Sequence, residues 1–322
     1  EKTTTVNVGV DFALFRHRLS GTIEYYNKYS VDLLAAINGS PTQGFGYTTL
    51  MTNNGKMVNR GVEITLSGEI IRQKDFSWNA SLLYAFNRNK VKHISVQPSL
   101  WDSRISMPTS YPMVGKPLYG IYAYKWAGLN ENGDPQVYDA ENNVTSGPAR
   151  DYHALVYCGT TVPIHNASLT NVLRYKGFEF SAMLILDAGH KLRSSNIPSI
   201  NMSNGRITST AKGIVDRWTQ PGDVTDVPRL LFSNDTENFN THRTELYRYS
   251  DLFVYDASNI RLSNISLAYR VPAHWCKKIS LSGARLQFNV ENVATFAFDS
   301  KANYDLGGKV KPNYVWGLYL NF

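Results

Sequence analysis

The sequence predicts an all-β fold, an antiparallel transmembrane β-barrel, from three observations. Apolar and polar residues alternate with a period of two in nine segments, whereas helical periodicity is nearly absent. The connections between these segments are alternately short and long. On the apolar face of the segments, aromatic residues lie at both ends and aliphatic residues lie between them, as expected of strands that cross a bilayer.

The alternation defines nine predicted strands along the chain. They cover residues 5–15, 19–29, 62–70, 76–86, 166–175, 178–186, 259–270, 284–291 and 312–322. In the first strand, Val6, Val8 and Val10 alternate with polar residues or glycine. In the seventh strand the alternation changes phase at Ser263–Asn264, which predicts a β-bulge.

The segment DFSWNASLLYAFNRNKV, residues 75–91, shows the two faces most clearly. Trp78 and Phe86 are eight residues apart. A strand segment of that length extends roughly 27 Å. When it is tilted by about 40°, it covers a height of roughly 20 Å, close to the ~25 Å apolar band of outer-membrane barrels. The side chains predicted to face lipid are Phe76, Trp78, Leu82, Tyr84, Phe86, Trp316 and Phe322. Those predicted to line the lumen or contact a plug are Asn79, Ser81, Arg285, Gln287 and Glu291.

The connections between the strands alternate in length. Those near residues 16–18, 72–75, 176–177 and 271–281 are short, and those near 30–58, 91–165, 189–258 and 294–312 are long. This layout is typical of an outer-membrane barrel whose short turns face the periplasm. In that orientation the first and ninth strands both run toward the periplasm, whereas a bacterial single-chain barrel has an even number of strands. We therefore expect residues 1–322 to be the C-terminal part of a larger barrel.

A soluble β-sandwich is the alternative fold, because its strands also alternate, with the apolar face turned inward. Sandwich strands are mostly ~5–6 residues long. The segments of this chain run to about a dozen residues and carry aromatic residues at both ends, which favours the bilayer. A soluble carbohydrate-binding sandwich remains the alternative hypothesis.

Composition and motifs exclude several classes of function. The mean hydropathy is −0.30 and no window approaches the ~18 consecutive apolar residues of a membrane-spanning helix. The net charge is +7, but Lys and Arg are scattered and no dense basic cluster occurs, so no nucleic-acid partner is expected. The sequence contains no HExxH, GxSxG or phosphate-binding glycine-rich motif, which predicts a protein that is not an enzyme.

The cysteines and one acidic loop are the candidates for metal or redox sites. Cys158 and Cys276 lack metal-ligand spacing and form either two free thiols or one long-range bridge. The loop NENGDPQVYDAENN, residues 130–143, offers Asp134 and Asp139 as weak candidates for a structural calcium ion. A solvated acidic loop is the favoured alternative, and no other cofactor is expected.

Long stretches of the chain resemble the C-terminal half of the SusC/RagA family of TonB-dependent outer-membrane transporters. The most similar stretch is NNGKMVNRGVEITLSGEIIRQKDFSWNASLLYAFNRNKV, residues 53–91, with its N-x-G-x-x-x-N-[KR]-G-[VI]-E entry, dF-x-W turn and closing N-x-N-x-V. Further similar stretches are 114–143, 216–230, 252–272 and 286–296. The chain departs from the family at AFDSKANYDLGGKVKPNY, where a G-x-D-P-E segment is common, and at NENGDP, where an acidic D-x-N-G-D-G loop is common.

The resemblance implies a plugged barrel of about 22 strands, with the plug and TonB box in an N-terminal part outside this chain. It implies an active importer of oligosaccharides or peptides in the outer membrane of a Bacteroidetes-type Gram-negative cell. TonB would supply the energy, and a SusD-like surface lipoprotein would cover the extracellular loops as a lid. The alternative functions are a passive porin, an adhesin and an outer-membrane enzyme.

The long loops carry aromatic side chains that are candidates for contact with substrate or lid. They are Trp101, Tyr111, Tyr119, Tyr122, Trp126 and Trp218. Aromatic rings at such positions stack on sugar rings or pack against a peptide. The alternative is ordinary packing within the loops or against the lipoprotein.

Overall fold

The computed structural model describes residues 1–38, 42, 49–96, 103–147, 151–202, 211–232, 241–306 and 311–322. The first nine strands are β1 (Lys2–Leu14), β2 (Leu19–Asn38), β3 (Thr49–Arg72), β4 (Phe76–His93), β5 (Gly120–Tyr124), β6 (Trp126–Leu129), β7 (Pro135–Tyr138), β8 (Val144–Thr145) and β9 (Leu155–Thr160). The other nine are β10 (His165–Tyr175), β11 (Phe178–Ala188), β12 (Lys191–Arg193), β13 (Asn201–Met202), β14 (Leu231–Phe232), β15 (Val254–Asp256), β16 (Asn259–Arg270), β17 (Gly283–Ala297) and β18 (Asn313–Asn321). The α-helices are α1 (Ser103–Ser106), α2 (Thr241–Arg248) and α3 (Ala273–Lys277).

Nine long strands form a single antiparallel sheet in the order β1-β2-β3-β4-β10-β11-β16-β17-β18. These are the nine strands predicted from the alternation, so that prediction is confirmed. Each strand pairs with the next long strand along the chain, as in an up-and-down barrel wall. The predicted bulge is also confirmed, because the pairing of β16 with β17 shifts between Leu262 and Asn264.

The connection predicted over residues 30–58 is shorter than expected, because β2 continues to Asn38 and β3 begins at Thr49. The backbone ladder between them persists beyond the alternating region, with register shifts around Leu33. Asp32, beside these shifts, has a φ of 55°, a left-handed conformation that aspartate tolerates. Backbone pairing needs no apolar alternation, so the sequence pattern ended before the strands did.

The pairing register separates the sheet into an apolar face and a polar face. A row of five leucines crosses five neighbouring strands of the apolar face, namely Leu66, Leu82, Leu169, Leu184 and Leu262. Aromatic pairs lie on this face toward the short turns, where the ring centroids are 4.5 Å apart for Phe178–Tyr269 and 4.2 Å for Phe288–Trp316. Toward the long loops, the Phe86 and His165 rings are 5.3 Å apart. Aliphatic residues thus lie between two aromatic levels.

No second sheet covers the apolar face within the described ranges, whose other sheets have two or three strands each. Trp316 is 78% exposed and Phe322 is 93% exposed in this chain. A sandwich would bury these side chains against a facing sheet. The alternative of a soluble sandwich is therefore wrong.

The core of the chain lies in the long connections rather than in the sheet. Here the loop layer denotes residues 103–147, 151–164, 189–202, 211–232 and 241–258. Its two clusters of buried apolar side chains centre on Tyr122 and Tyr124, and on Tyr247 and Phe253. The two connections, between β4 and β10 and between β11 and β16, therefore pack into one layer at the end of the sheet opposite the short turns.

Among the described residues, α2 is the longest helix, with eight residues. None of the described helices has the length and apolar character needed to cross a membrane.

Candidate functional site

The residues predicted to line the lumen lie on the polar face, on two strands, β4 and β17, that three other strands separate. Asn79 and Ser81 are alternate residues of β4, and Arg285, Gln287 and Glu291 lie at odd-numbered positions of β17. The Gln287 amide donates hydrogen bonds to Ser266 Oγ at 3.3 Å and to Asn289 Oδ1 at 3.0 Å. Side-chain hydrogen bonds therefore link neighbouring positions of this face, in contrast to the leucine row behind it.

Charged side chains on the polar face form pairs across strands that the sequence analysis did not identify. Arg174 Nε and Arg285 donate to the two carboxylate oxygens of Glu179, at 2.7 and 3.1 Å. Near the opposite end of the sheet, Arg261 donates to Asp187 at 3.0 Å. Such pairs cannot be predicted from the sequence until the strand register is known, because the two partners lie up to 106 residues apart.

The weak metal candidate Asp134 lies in the loop layer between two arginine side chains. Arg229 donates to both of its carboxylate oxygens, at 3.0 and 2.9 Å, and Arg243 Nε donates to Oδ1 at 2.7 Å. Arg243, whose side chain is 3% exposed, also donates to the Ile200 carbonyl and to the carbonyl of Arg229. Burial lowers the pKa of Arg243, and Asp134 opposes this effect. Both carboxylate oxygens are therefore occupied by guanidinium groups.

The second weak metal candidate, Asp139, closes a turn. Its Oδ1 accepts the backbone N–H of Asn143 at 2.7 Å. Across the parts of the chain that the structure describes, no three His, Cys, Asp or Glu side chains are grouped closely enough to hold a metal ion. Asp134 therefore connects segments of the loop layer through Arg229 and Arg243, and Asp139 stabilises a turn.

Three of the loop aromatics are engaged in packing. Tyr122 is 1% exposed and its hydroxyl accepts the Met113 N–H at 3.2 Å. Trp126 Nε1 donates to Asp226 at 3.0 Å. The Trp218 ring lies directly against Gly133, where a Cβ would approach the ring to 2.4 Å. Each of these three side chains therefore makes a contact within the loop layer.

The remaining candidates differ in accessibility. Tyr119 is 49% exposed, and Tyr111 is half-buried. Trp101 lies outside the described residues. Among the described candidates, Tyr119 is therefore the one that is exposed, whereas Tyr111 is half-buried, as Trp126 and Trp218 are.

Arg193 joins the two connections of the loop layer and was not predicted from the sequence. Its guanidinium donates to the carbonyl oxygens of Tyr122 at 2.7 Å, Arg248 at 3.2 Å and Ser250 at 3.2 Å. Burial lowers the pKa of Arg193 below its usual value. No sequence motif marks this residue, because its three acceptors are backbone atoms from distant segments.

Both cysteines are free thiols, so the alternative of a long-range bridge is wrong. Cys158 lies in β9 of the loop layer, and Cys276 is buried in α3. Burial, followed by the charge of Asp251, raises the pKa of the Cys158 thiol to about 11. The thiolate is the reactive form of cysteine, so Cys158 is protected at neutral pH.

Alkylation of Cys158 by iodoacetamide at pH 8 is expected to be roughly a hundredfold slower than that of a free cysteine of pKa ≈ 8.5. Burial disfavours the thiolate, so the rate rises by about tenfold per pH unit until the pH approaches the raised pKa. Mass spectrometry of the labelled peptide measures the rate, and urea-unfolded protein is the control. A rate that already levels off near pH 8.5 in the folded protein contradicts the expectation.

Comparisons with known proteins agree with this architecture. A family model described as "TonB dependent receptor-like, beta-barrel" matches residues 1–293. TonB-dependent receptor P3 of Formosa agariphila is 25% identical over 99% of this chain and 32% of that protein. TonB-dependent receptor SusC of Bacteroides thetaiotaomicron is 25% identical over 91% of this chain and 28% of that protein.

Among solved structures, that of the RagAB peptide transporter matches 99% of this chain and 35% of the matched chain, with a TM-score of 0.75 and 22% identity. The likeness shows that the nine-stranded sheet has the fold of such a barrel. The chain spans about a third of the length of the relatives it matches. The family consists of receptors and transporters rather than enzymes. With the family model covering most of its length, this chain belongs to the TonB dependent receptor-like β-barrel family, and the resemblance inferred from its motifs is confirmed.

Proposed function

We propose that this chain is the C-terminal part of the barrel of an outer-membrane active importer. The complete protein would add further strands, a plug and a TonB box, and TonB would supply the energy for import. The observation that carries the proposal is the two-faced sheet, with aliphatic residues between two aromatic levels on one face and linked polar side chains on the other. Such a wall separates hydrocarbon from a polar lumen.

In this proposal the apolar face contacts the bilayer and the polar face contacts the lumen or the plug. The packed loop layer lies on the extracellular side, because the short turns are at the opposite end of the sheet. A loop layer with its own core and with the half-buried Arg193 linking its segments offers a firm surface on which a SusD-like lipoprotein would sit. Of the candidate loop aromatics within the described residues, the exposed Tyr119 is the best placed to contact that lid or the substrate.

The proposed substrates are oligosaccharides or peptides too large for passive diffusion. The RagAB structure is that of a peptide transporter, which supports the peptide class, and the accessible aromatic rings suit either class. No charge or cavity among the described residues selects one class over the other.

Growth of a strain that lacks the gene tests the proposal. Defined glycans and defined peptides serve as sole nutrients, with plasmid complementation as the control. We expect loss of growth on one nutrient class, co-purification of a surface lipoprotein with the protein, and the same growth defect in a strain without TonB. Normal growth on every nutrient contradicts import, and uptake that persists without TonB identifies a passive pore instead.

A further inference from the structure

A cavity of about 580 Å³ lies where the long-loop end of the sheet meets the loop layer. Its walls come from β3, β4, residues 115–117 and part of residues 157–164. Five cationic side chains line it, namely Arg60, Arg88, Lys90, Lys92 and Lys116, and no Asp or Glu does. None of the five forms an ion pair with a carboxylate within the described residues.

The cationic side chains converge because of the strand register. Arg60 on β3 and Arg88 on β4 are directly opposite each other, and like charges at such positions repel. Arg60 donates to the neutral Asn27 Oδ1 at 3.1 Å, which leaves this repulsion uncompensated. Lys116 Nζ lies 4.8 Å from the centroid of the Tyr157 ring, on the loop side of the cavity. An anion in the cavity would remove the repulsion.

The position of the cationic cluster along the strands indicates which class of anion it would bind. Arg60 and Arg88 alternate with Val62 and Phe86, so they belong to the apolar face. Arg88 lies two residues beyond Phe86, or roughly 7 Å along the strand. The headgroup layer on each side of the hydrocarbon core is about 5–8 Å thick. The cluster therefore coincides with the headgroup layer when the apolar face lies in the bilayer.

We propose that this cavity binds the phosphate group of a phosphorylated lipid headgroup in the outer leaflet. The inference rests on the membrane orientation given under the proposed function. The guanidinium groups would donate paired hydrogen bonds to phosphate oxygens. The acyl chains would lie along Val62, Phe86 and the leucine row below them. A soluble anion would gain nothing from that apolar surface, which favours a lipid.

Equilibrium binding of purified lipopolysaccharide to the complete protein in detergent tests the site. The triple variant Arg88→Gln, Lys90→Gln, Lys116→Gln is expected to bind at least tenfold more weakly than the unaltered protein. The matched control Arg16→Gln, Lys74→Gln, Lys176→Gln removes the same charge from exposed positions in the short turns and is expected to bind normally. The unaltered protein is expected to bind dephosphorylated lipopolysaccharide as weakly as the triple variant binds the intact lipid.

Further measurements keep the inference falsifiable. Arg88→Lys with Lys90→Arg retains the charge and should retain binding, and heat-modified mobility on gels confirms that each variant is folded. Equal binding by the triple variant, or undiminished binding of the dephosphorylated lipid, overturns the inference. Competition by inorganic phosphate at the same concentration as the lipid also overturns the inference, because a soluble anion would then be enough to fill the cavity. Growth separates the two proposals, because the triple variant should still import the nutrient while the gene deletion does not.

Discussion

Replacing Leu82 by arginine is expected to prevent accumulation of the complete protein in the outer membrane. Leu82 lies in the middle of the leucine row, between Leu66 and Leu169 on the neighbouring strands. In the proposed orientation this position lies near the bilayer midplane, where an arginine on the lipid face costs about 2–4 kcal/mol. A loss of this size is a large fraction of the stability of an ordinary domain.

The next residue supplies a matched control. Leu83 is 51% exposed on the polar face, so Leu83→Arg adds the same charge to the same residue type on the side away from lipid. Quantitative immunoblots of outer-membrane fractions, with heat-modified mobility as the measure of folding, compare the two variants. Equal levels of Leu82→Arg and Leu83→Arg would show that the apolar face does not contact lipid.

The Asp134→Ala variant is expected to loosen the loop layer by about 3–5 kcal/mol, the usual cost of removing one partner of a buried ion pair. Asp134 is the carboxylate that both Arg229 and Arg243 contact. Its removal leaves two guanidinium groups close together, and one of them has a side chain that is only 3% exposed. We expect local opening around α2 and β14, with the sheet unchanged.

Hydrogen exchange read by mass spectrometry measures this effect. Peptides covering α2 should exchange faster in Asp134→Ala, whereas peptides from β16 and β17 should not change. Asp139→Ala is the matched control, because Asp139 only closes an exposed turn with Asn143, and a lost turn cap costs roughly 1 kcal/mol. Unchanged hydrogen exchange of the α2 peptides in Asp134→Ala would show that this carboxylate is not needed to hold the two arginines in place.

The strands were predictable because a sheet between two different solvents requires a period of two. Trp78, Leu82 and Phe86 carry that period in β4, and even the bulge at Asn264 was evident as a change of phase. The ends of β2 and β3 were not predictable, since their backbone pairing continues beyond the end of the alternation. Tyr122 illustrates the limit for the loops, because a loop tyrosine has the same sequence context whether it is buried or exposed.

The sequence by itself determined the nine-stranded architecture, the division of each strand into two faces and the family. Alternation is a local property, so each strand reveals its faces without knowledge of its neighbours. The tertiary structure alone decided that Asp134 is held by two arginines, that Arg193 joins three backbone segments, and that Arg60 and Arg88 meet in one cavity. These contacts join residues from separate strands or from connections distant in the chain, and their geometry exists only once the strand register and the packing of the loops are fixed.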